Sequence, residues 1–173
     1  FGITLDPARL SELVYQVEKV HHGTPSGIDN TVVAFEAPVW FRRGQGAQPI
    51  AQGAPLALVV GDTGIPSRTR ESVALVRRRW EAGPAPLEAL FDAIGETVRQ
   101  GRAALAAGDL ATLGAAMDRN QELLQGLGVS DAALERLIVA ARRAGALGSK
   151  LSGGGMGGSM VALATPAGAE VVE

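Results

Sequence analysis

Cysteine is absent from the 173 residues, and histidine occurs twice, side by side at His21 and His22. Disulfides and thiolate metal sites are thereby excluded, and two imidazoles are too few for a structural zinc. Any metal has to be a hard cation held by oxygen. No apolar run reaches the roughly 18 residues of a membrane span, and the first residues lack the charged, apolar and small-residue succession of a secretory signal. A soluble, cytoplasmic protein with no membrane partner is expected. The 16 basic and 18 acidic residues give a net charge of -2 and form no basic stripe, so nucleic acid is not expected as a partner. Lysine is scarce too: Lys19 and Lys150 stand alone among arginines.

What is present is enough for a core, since 46% of the residues are hydrophobic, and the length allows one domain or one domain with a piece of another. The chain starts at Phe1 and enters a helix almost at once, which reads as a fragment of a longer protein. Asp6-Pro7 is a helix start, and Leu10, Leu13, Val14, Val17 and Val20 recur at helical spacing, predicting a helix to about His21 with one buried face. Gly23 ends it, and His22 to Asn30 is rich in turn formers and predicts a loop. Thr31 to Phe35, Val39 to Phe41 and Leu56 to Val60 read as strands.

Beyond Pro66 the periodicity predicts helices over Ser67 to Glu81, Leu87 to Ala107, Leu110 to Leu124 and Asp131 to Ala144. Leu147 to Leu151 and Met160 to Ala164 then form a hairpin around a glycine tract, and Pro166 opens a last helix. Strands and helices are mixed without regular alternation, which argues for an α+β fold, a two-layer sandwich with helices on one face of the sheet. The polar Gly44 to Gly53 stretch is the place for a domain crossover. Trp40 and Trp80 read as core residues, and His22 as part of the loop and not of any chemistry.

Three groups of residues have chemical potential. Glu18 and Asp29 flank the end of the first helix and could converge; a phosphotransferase needs one carboxylate on Mg²⁺ and another on the attacking hydroxyl. The same two residues also read as a solvated helix position and a turn former. In Lys150-Leu151-Ser152-Gly153-Gly154-Gly155-Met156-Gly157-Gly158-Ser159, a backbone without Cβ atoms can approach a ligand closely and turn N–H groups toward an anion. It has neither a Walker ending nor a dinucleotide fingerprint, and a plain flexible hairpin is the alternative. In Ile65-Pro66-Ser67-Arg68-Thr69-Arg70, Ser67 or Thr69 either caps a helix or helps hold a phosphate or carboxylate at its N-terminus.

Taken together, these segments resemble a known family. His22-Gly23-Thr24-Pro25-Ser26-Gly27-Ile28-Asp29-Asn30 is similar to the H-G-x-P-S-G-x-D-N stretch of mevalonate kinases, within the GHMP superfamily of galactokinase, homoserine, mevalonate and phosphomevalonate kinases. Lys150 to Gly158 resembles that superfamily's third motif, K-[LF]-[ST]-G-[AG]-G-x-G-G, and Ile65 to Arg70 resembles the segment that carries its threonine. The order matches from Glu18 to Leu163.

The resemblance implies a ferredoxin-like C-terminal domain over residues 49–173, preceded by the tail of the N-terminal domain over residues 1–48. It implies that Asp29 is catalytic beside the accepting hydroxyl and that Glu18, eleven positions earlier, is a ligand of Mg²⁺. Thr69 is implied near the substrate, Ser26 and Gly27 around the loop that presents Asp29, and Gly153, Gly154 and Gly155 against the nucleotide. The implied reaction is ATP-dependent phosphorylation of mevalonate in isoprenoid synthesis. Another GHMP kinase, for phosphomevalonate or homoserine, and a noncatalytic small-molecule-binding domain of the same fold are the alternatives; a homodimer is left open.

Gly154 replaces an alanine common in the motif, and Met156 stands where many members have glycine. The Gly-Ser-rich loop that wraps the ATP phosphates in this superfamily has no counterpart between Phe1 and Val17. Nor are the N-terminal lysine and histidine expected near the substrate present, so the isolated chain is expected to be inactive.

Overall fold

The computed structural model describes residues 5–22 and 26–165 and divides into two compact units, Phe1–Gln52 and Gly53–Glu173. In the first, helix α1 (Pro7–His22) starts where Asp6 accepts a hydrogen bond from the Arg9 N–H at 3.0 Å. The predicted buried face of α1 is not found. Leu10, Leu13 and Val17 are 39, 42 and 55% exposed and Val20 is 82% exposed, whereas the buried residue of this helix is Ser11.

The reason is that α1 packs on α2 (Ile28–Phe35) through polar groups. The Asn30 amide donates to the Ser11 carbonyl at 3.0 Å and to the Ser11 hydroxyl at 2.9 Å. Thr31 Oγ1 donates to the Gly27 carbonyl at 2.5 Å, so its one proton is used and the Ser11 hydroxyl, 3.1 Å away, is the donor to it. Helix α2 itself corrects two expectations: Thr31 to Phe35 is helical and not a strand, and Asp29 sits in a first helical turn and not in a loop. Gly27, left-handed at φ 84°, turns the chain into the helix, and Ser26 accepts from the Ile28 N–H at 3.2 Å. The bonds from Asn30 and Thr31 to Ser11 have outweighed the strand preference of the β-branched Thr-Val-Val run. Strands β1 (Val39–Arg42) and β2 (Gly46–Pro49) close the unit as a hairpin, with β2 in what reads from sequence as a polar connection.

The second unit is built on an antiparallel sheet of β3 (Ala57–Asp62), β4 (Gly148–Ser152) and β5 (Ser159–Ala164) in the order β3-β5-β4. Between β3 and β4 run four helices: α3 (Thr69–Ala82), α4 (Pro84–Ala107), α5 (Leu110–Leu127) and α6 (Ala132–Arg143). Asp109 caps α5 by accepting from the Thr112 N–H at 3.0 Å, and Asp131 caps α6 by accepting from the N–H groups of Ala133 and Leu134.

One face of the sheet, with Leu151, Met160 and Ala162, forms the core with Leu134 and Ile138 of α6, both fully buried. Burying each such side chain stabilises the fold by about 1.5–3 kcal/mol. On the opposite face Leu58 and Val60 are 53 and 69% exposed. The layering is the expected α+β arrangement, with helices against one face. Trp80 departs from its reading as a core residue: it is 43% exposed, and its indole N–H donates to Glu88 at 3.2 Å. The helix predicted after Pro166 lies outside the described residues.

Candidate active site

In the first unit, residues 11, 15 and 18 of α1 lie three and four apart and share one side of the helix. Ser11 meets Asn30 and Thr31, and a Cβ placed on Gly27 would lie 3.5 Å from the Tyr15 ring and 3.2 Å from Phe41. Helix α2 therefore begins opposite Tyr15 and runs back toward Ser11. This puts Glu18, one turn beyond Tyr15, at the same end of the helix pair as Asp29. Asp29 is exposed and Glu18 half-buried. Among the described residues no three His, Cys, Asp or Glu side chains cluster as a metal cage. Mg²⁺ needs none when nucleotide phosphates and water complete its shell, so one or two carboxylates fit that ion.

In the second unit the glycine tract and the start of α3 form one structure. Ser67 donates to the Gly155 carbonyl at 3.0 Å and lies 3.2 Å from the Thr69 hydroxyl. A Cβ on Gly154 would be 2.7 Å from Thr69 Oγ1 and 2.8 Å from its methyl, so the absence of a side chain there is what lets Thr69 pack on the tract. Thr69 is the first residue of α3, where N–H groups lack intrahelical partners and favour an anion.

The tract has two distinct halves. From Gly155 to Gly158 every residue has positive φ, Met156 at 53° included. This half is bonded closely: the Met156 N–H to Val129 O at 2.9 Å, the Gly158 N–H to Ile65 O at 2.7 Å, and the Arg68 N–H to Met156 O at 3.2 Å. Thr63 adds its N–H and its hydroxyl to Gly158 O at 3.0 and 2.7 Å. None of these bonds uses Gly153 or Gly154. Next to Gly153, at φ 82°, a Cβ would meet nothing within 4 Å.

Lys150, just before the tract, has its pKa lowered by burial, and its ammonium donates to the Leu151 carbonyl at 2.7 Å. At the base of β3, Asp62 accepts from the Gly64 N–H at 2.6 Å and from Ser159 at 2.9 Å, and these bonds hold its pKa below the usual carboxylate range.

Sequence reasoning left Ser67 as either a helix cap or part of an anion-holding N-terminus and gave no role to the Gln121, Ser130 and Glu135 side chains under the tract. No sequence pattern marks them: a glutamine on a helix is ordinarily exposed, and only the fold buries Gln121 completely. Of the residues expected at the site, Thr69 and Gly153 to Gly155 come together in the second unit, and Glu18, Ser26, Gly27 and Asp29 belong to the first.

Residues 102–173 match the family described as GHMP kinases C terminal, and this part of the chain is a GHMP kinase C-terminal domain. Within that class it is similar to mevalonate kinases. It is 37% identical to the mevalonate kinase of Thermococcus sibiricus over 99% of this chain and 52% of that protein. It superposes on L. major mevalonate kinase in complex with R-mevalonate with a TM-score of 0.90 and 36% identity, over 98% of this chain and 53% of the other. Streptococcus pneumoniae phosphomevalonate kinase, in complex with phosphomevalonate and AMPPNP, shares the fold with a TM-score of 0.81 at 18% identity, over 98% of this chain and 57% of its own. The chain spans about half the length of the curated relatives it matches. Among the described residues no helix is long and apolar enough to cross a membrane.

Proposed function

We propose that the protein carrying this chain is a cytoplasmic mevalonate kinase that transfers the γ-phosphoryl group of ATP to the primary hydroxyl of mevalonate. The observation that carries the reading is the seat of Thr69 on Gly154, two family-matched segments 85 positions apart in sequence held in van der Waals contact. The similarity to mevalonate kinases along almost the whole chain supports the choice of acceptor.

In the reaction the substrate oxygen bonds to the γ-phosphorus as the bond to the β–γ bridging oxygen breaks, ADP departs, and the hydroxyl proton is released. Asp29, exposed at the first turn of α2, accepts that proton's hydrogen bond and aims the oxygen. Ser26 and Gly27 set the entry to that turn. Thr69 offers a hydroxyl to the transferring group, and the open space beside Gly153 gives the nucleotide phosphates a close approach to the backbone. Mg²⁺, when bound, neutralises phosphate charge, with Glu18 as its carboxylate ligand. Phosphoryl transfer asks mainly for positioning and electrostatics, which these residue types supply.

The test is a product assay on the intact gene product with ATP, Mg²⁺ and a panel of mevalonate, phosphomevalonate, homoserine and galactose. Formation of 5-phosphomevalonate and ADP with mevalonate as the preferred acceptor is expected. Preference for another acceptor, or no transfer to any, ends the reading.

A further inference from the structure

Among the described residues strand β4 is an edge of the sheet, and no described strand pairs with the N–H groups on its outer side. Helix α5 takes that place. Gly114 and the Leu147–Gly148 backbone approach so closely that a Cβ on either glycine would overlap the other segment. From there the helix runs along the strand, one side chain to each outward amide. Asp118 Oδ1 accepts from the Ser149 N–H at 2.8 Å, and Gln121 Oε1 accepts from the Leu151 N–H at 2.9 Å. The next amide of the same parity is that of Gly153, where the tract begins.

Gln121 is fully buried, and both its amide N–H groups and its oxygen are engaged. Its amide donates to Ser130 at 3.0 Å and to Glu135 Oε1 at 2.7 Å; Ser130 in turn donates to Glu135, and Gln125 donates to Glu135 Oε2 at 2.7 Å. Ser130 directly follows Val129, whose carbonyl accepts from Met156. Helix α5 and the turn after it thus hold the tract at two points, through Gln121 on Leu151 just before it and through Val129 on Met156 within it. The two points are linked by Ser130.

We propose that Gln121 is a positioning residue for the phosphotransfer reaction: with Ser130 and Glu135 it locks the α5–α6 turn and thereby fixes the conformation of the glycine tract against Thr69. Its catalytic consequence rests on the kinase reading above, whereas the locking of the tract does not.

The experiment uses the intact protein with Gln121→Met, which keeps the side-chain length and removes all three of its hydrogen bonds. Ile138→Val serves as a core change with a comparable loss of melting temperature. Amide hydrogen exchange is followed at Met156, whose N–H bonds to Val129 and not to Gln121. Exchange roughly tenfold or more faster in Gln121→Met than in Ile138→Val is expected, from the loss of the buried Gln121 hydrogen bonds.

Joining Gln121→Glu to Glu135→Gln reverses the polarity of the network with every bond retained. The new carboxylate accepts from Leu151, Ser130 and the new amide, whose oxygen accepts from Gln125. This pair restores slow exchange at Met156, and kcat with mevalonate follows the same order of variants. Equal exchange in Gln121→Met and Ile138→Val overturns the proposal. A wild-type protein that transfers no phosphate overturns the kinase reading alone, because the exchange comparison stands without it.

Discussion

The two halves of the glycine tract are alike in sequence and opposite in structure. Gly155 to Gly158 is a staple: its amides and carbonyls are committed to Val129, Ile65, Arg68, Ser67 and Thr63. Gly153 and Gly154 take part in none of those bonds, with open space beside the first and the Thr69 side chain beside the second. The lesson is that glycine serves two purposes within six residues. In the later half it permits left-handed backbone in a crowded place, and in the earlier half it leaves room for other groups.

Substitutions separate the two purposes. The largest effect is expected at Gly155, where alanine would combine a φ of 76° with overlap onto the Val129 carbonyl. Gly155→Ala should lower stability by roughly 3 kcal/mol or more. Gly153→Ala, with a similar φ of 82° but open surroundings, should cost about 1–2 kcal/mol. Chemical denaturation of both variants checks the contrast, and equal losses would break it.

Gly154→Ala comes next. The alanine common in the superfamily motif fits here only if Thr69 turns or shifts, so this variant should lose up to roughly 10²-fold in kcat. Its denaturation midpoint should fall by less than that of Gly155→Ala. A normal kcat would mean that Thr69 tolerates displacement and is not aimed at the transferring group.

The smallest effect is electrostatic. Burial opposes ionisation of Glu135, but hydrogen bonds from Ser130, Gln125 and Gln121 and the nearby Arg142 prevail and lower its pKa. A carboxylate with a depressed folded pKa adds stability that is fully present above its unfolded value near 4.5 and is lost as pH falls through the folded value. The wild type should therefore lose stability on acidification below that point. Glu135→Gln should show a shallower acid limb, and identical slopes would remove Glu135 from the account.

Much of this arrangement was legible in the residues. Helical periodicity gave α3 to α6 to within a few residues, because each has a sustained apolar side and a capping or breaking residue at its ends, such as Asp109 and Asp131. The turn from Gly27 into α2 was not. Thr31, Val32 and Val33 favour a strand, and the bonds that override them come from Ser11, twenty residues earlier.

Periodicity also predicted a buried stripe on α1 that the described residues leave open, since amphipathic spacing tells which side is apolar and not what covers it. Thr69 and the tract were singled out by their motifs, and the structure packs one on the other. Gln121 was not, because its partner is the backbone of a strand thirty positions away and no local pattern announces it.

The central claim is that Asp29 serves the accepting hydroxyl of a phosphotransferase. It is tested most directly by single-turnover phosphorylation of mevalonate by the intact protein with Asp29→Asn, with nucleotide binding measured alongside. A loss of roughly 10²- to 10⁴-fold in the transfer rate, with nucleotide affinity and melting temperature close to wild type, is the expected result. Transfer at the wild-type rate would contradict it.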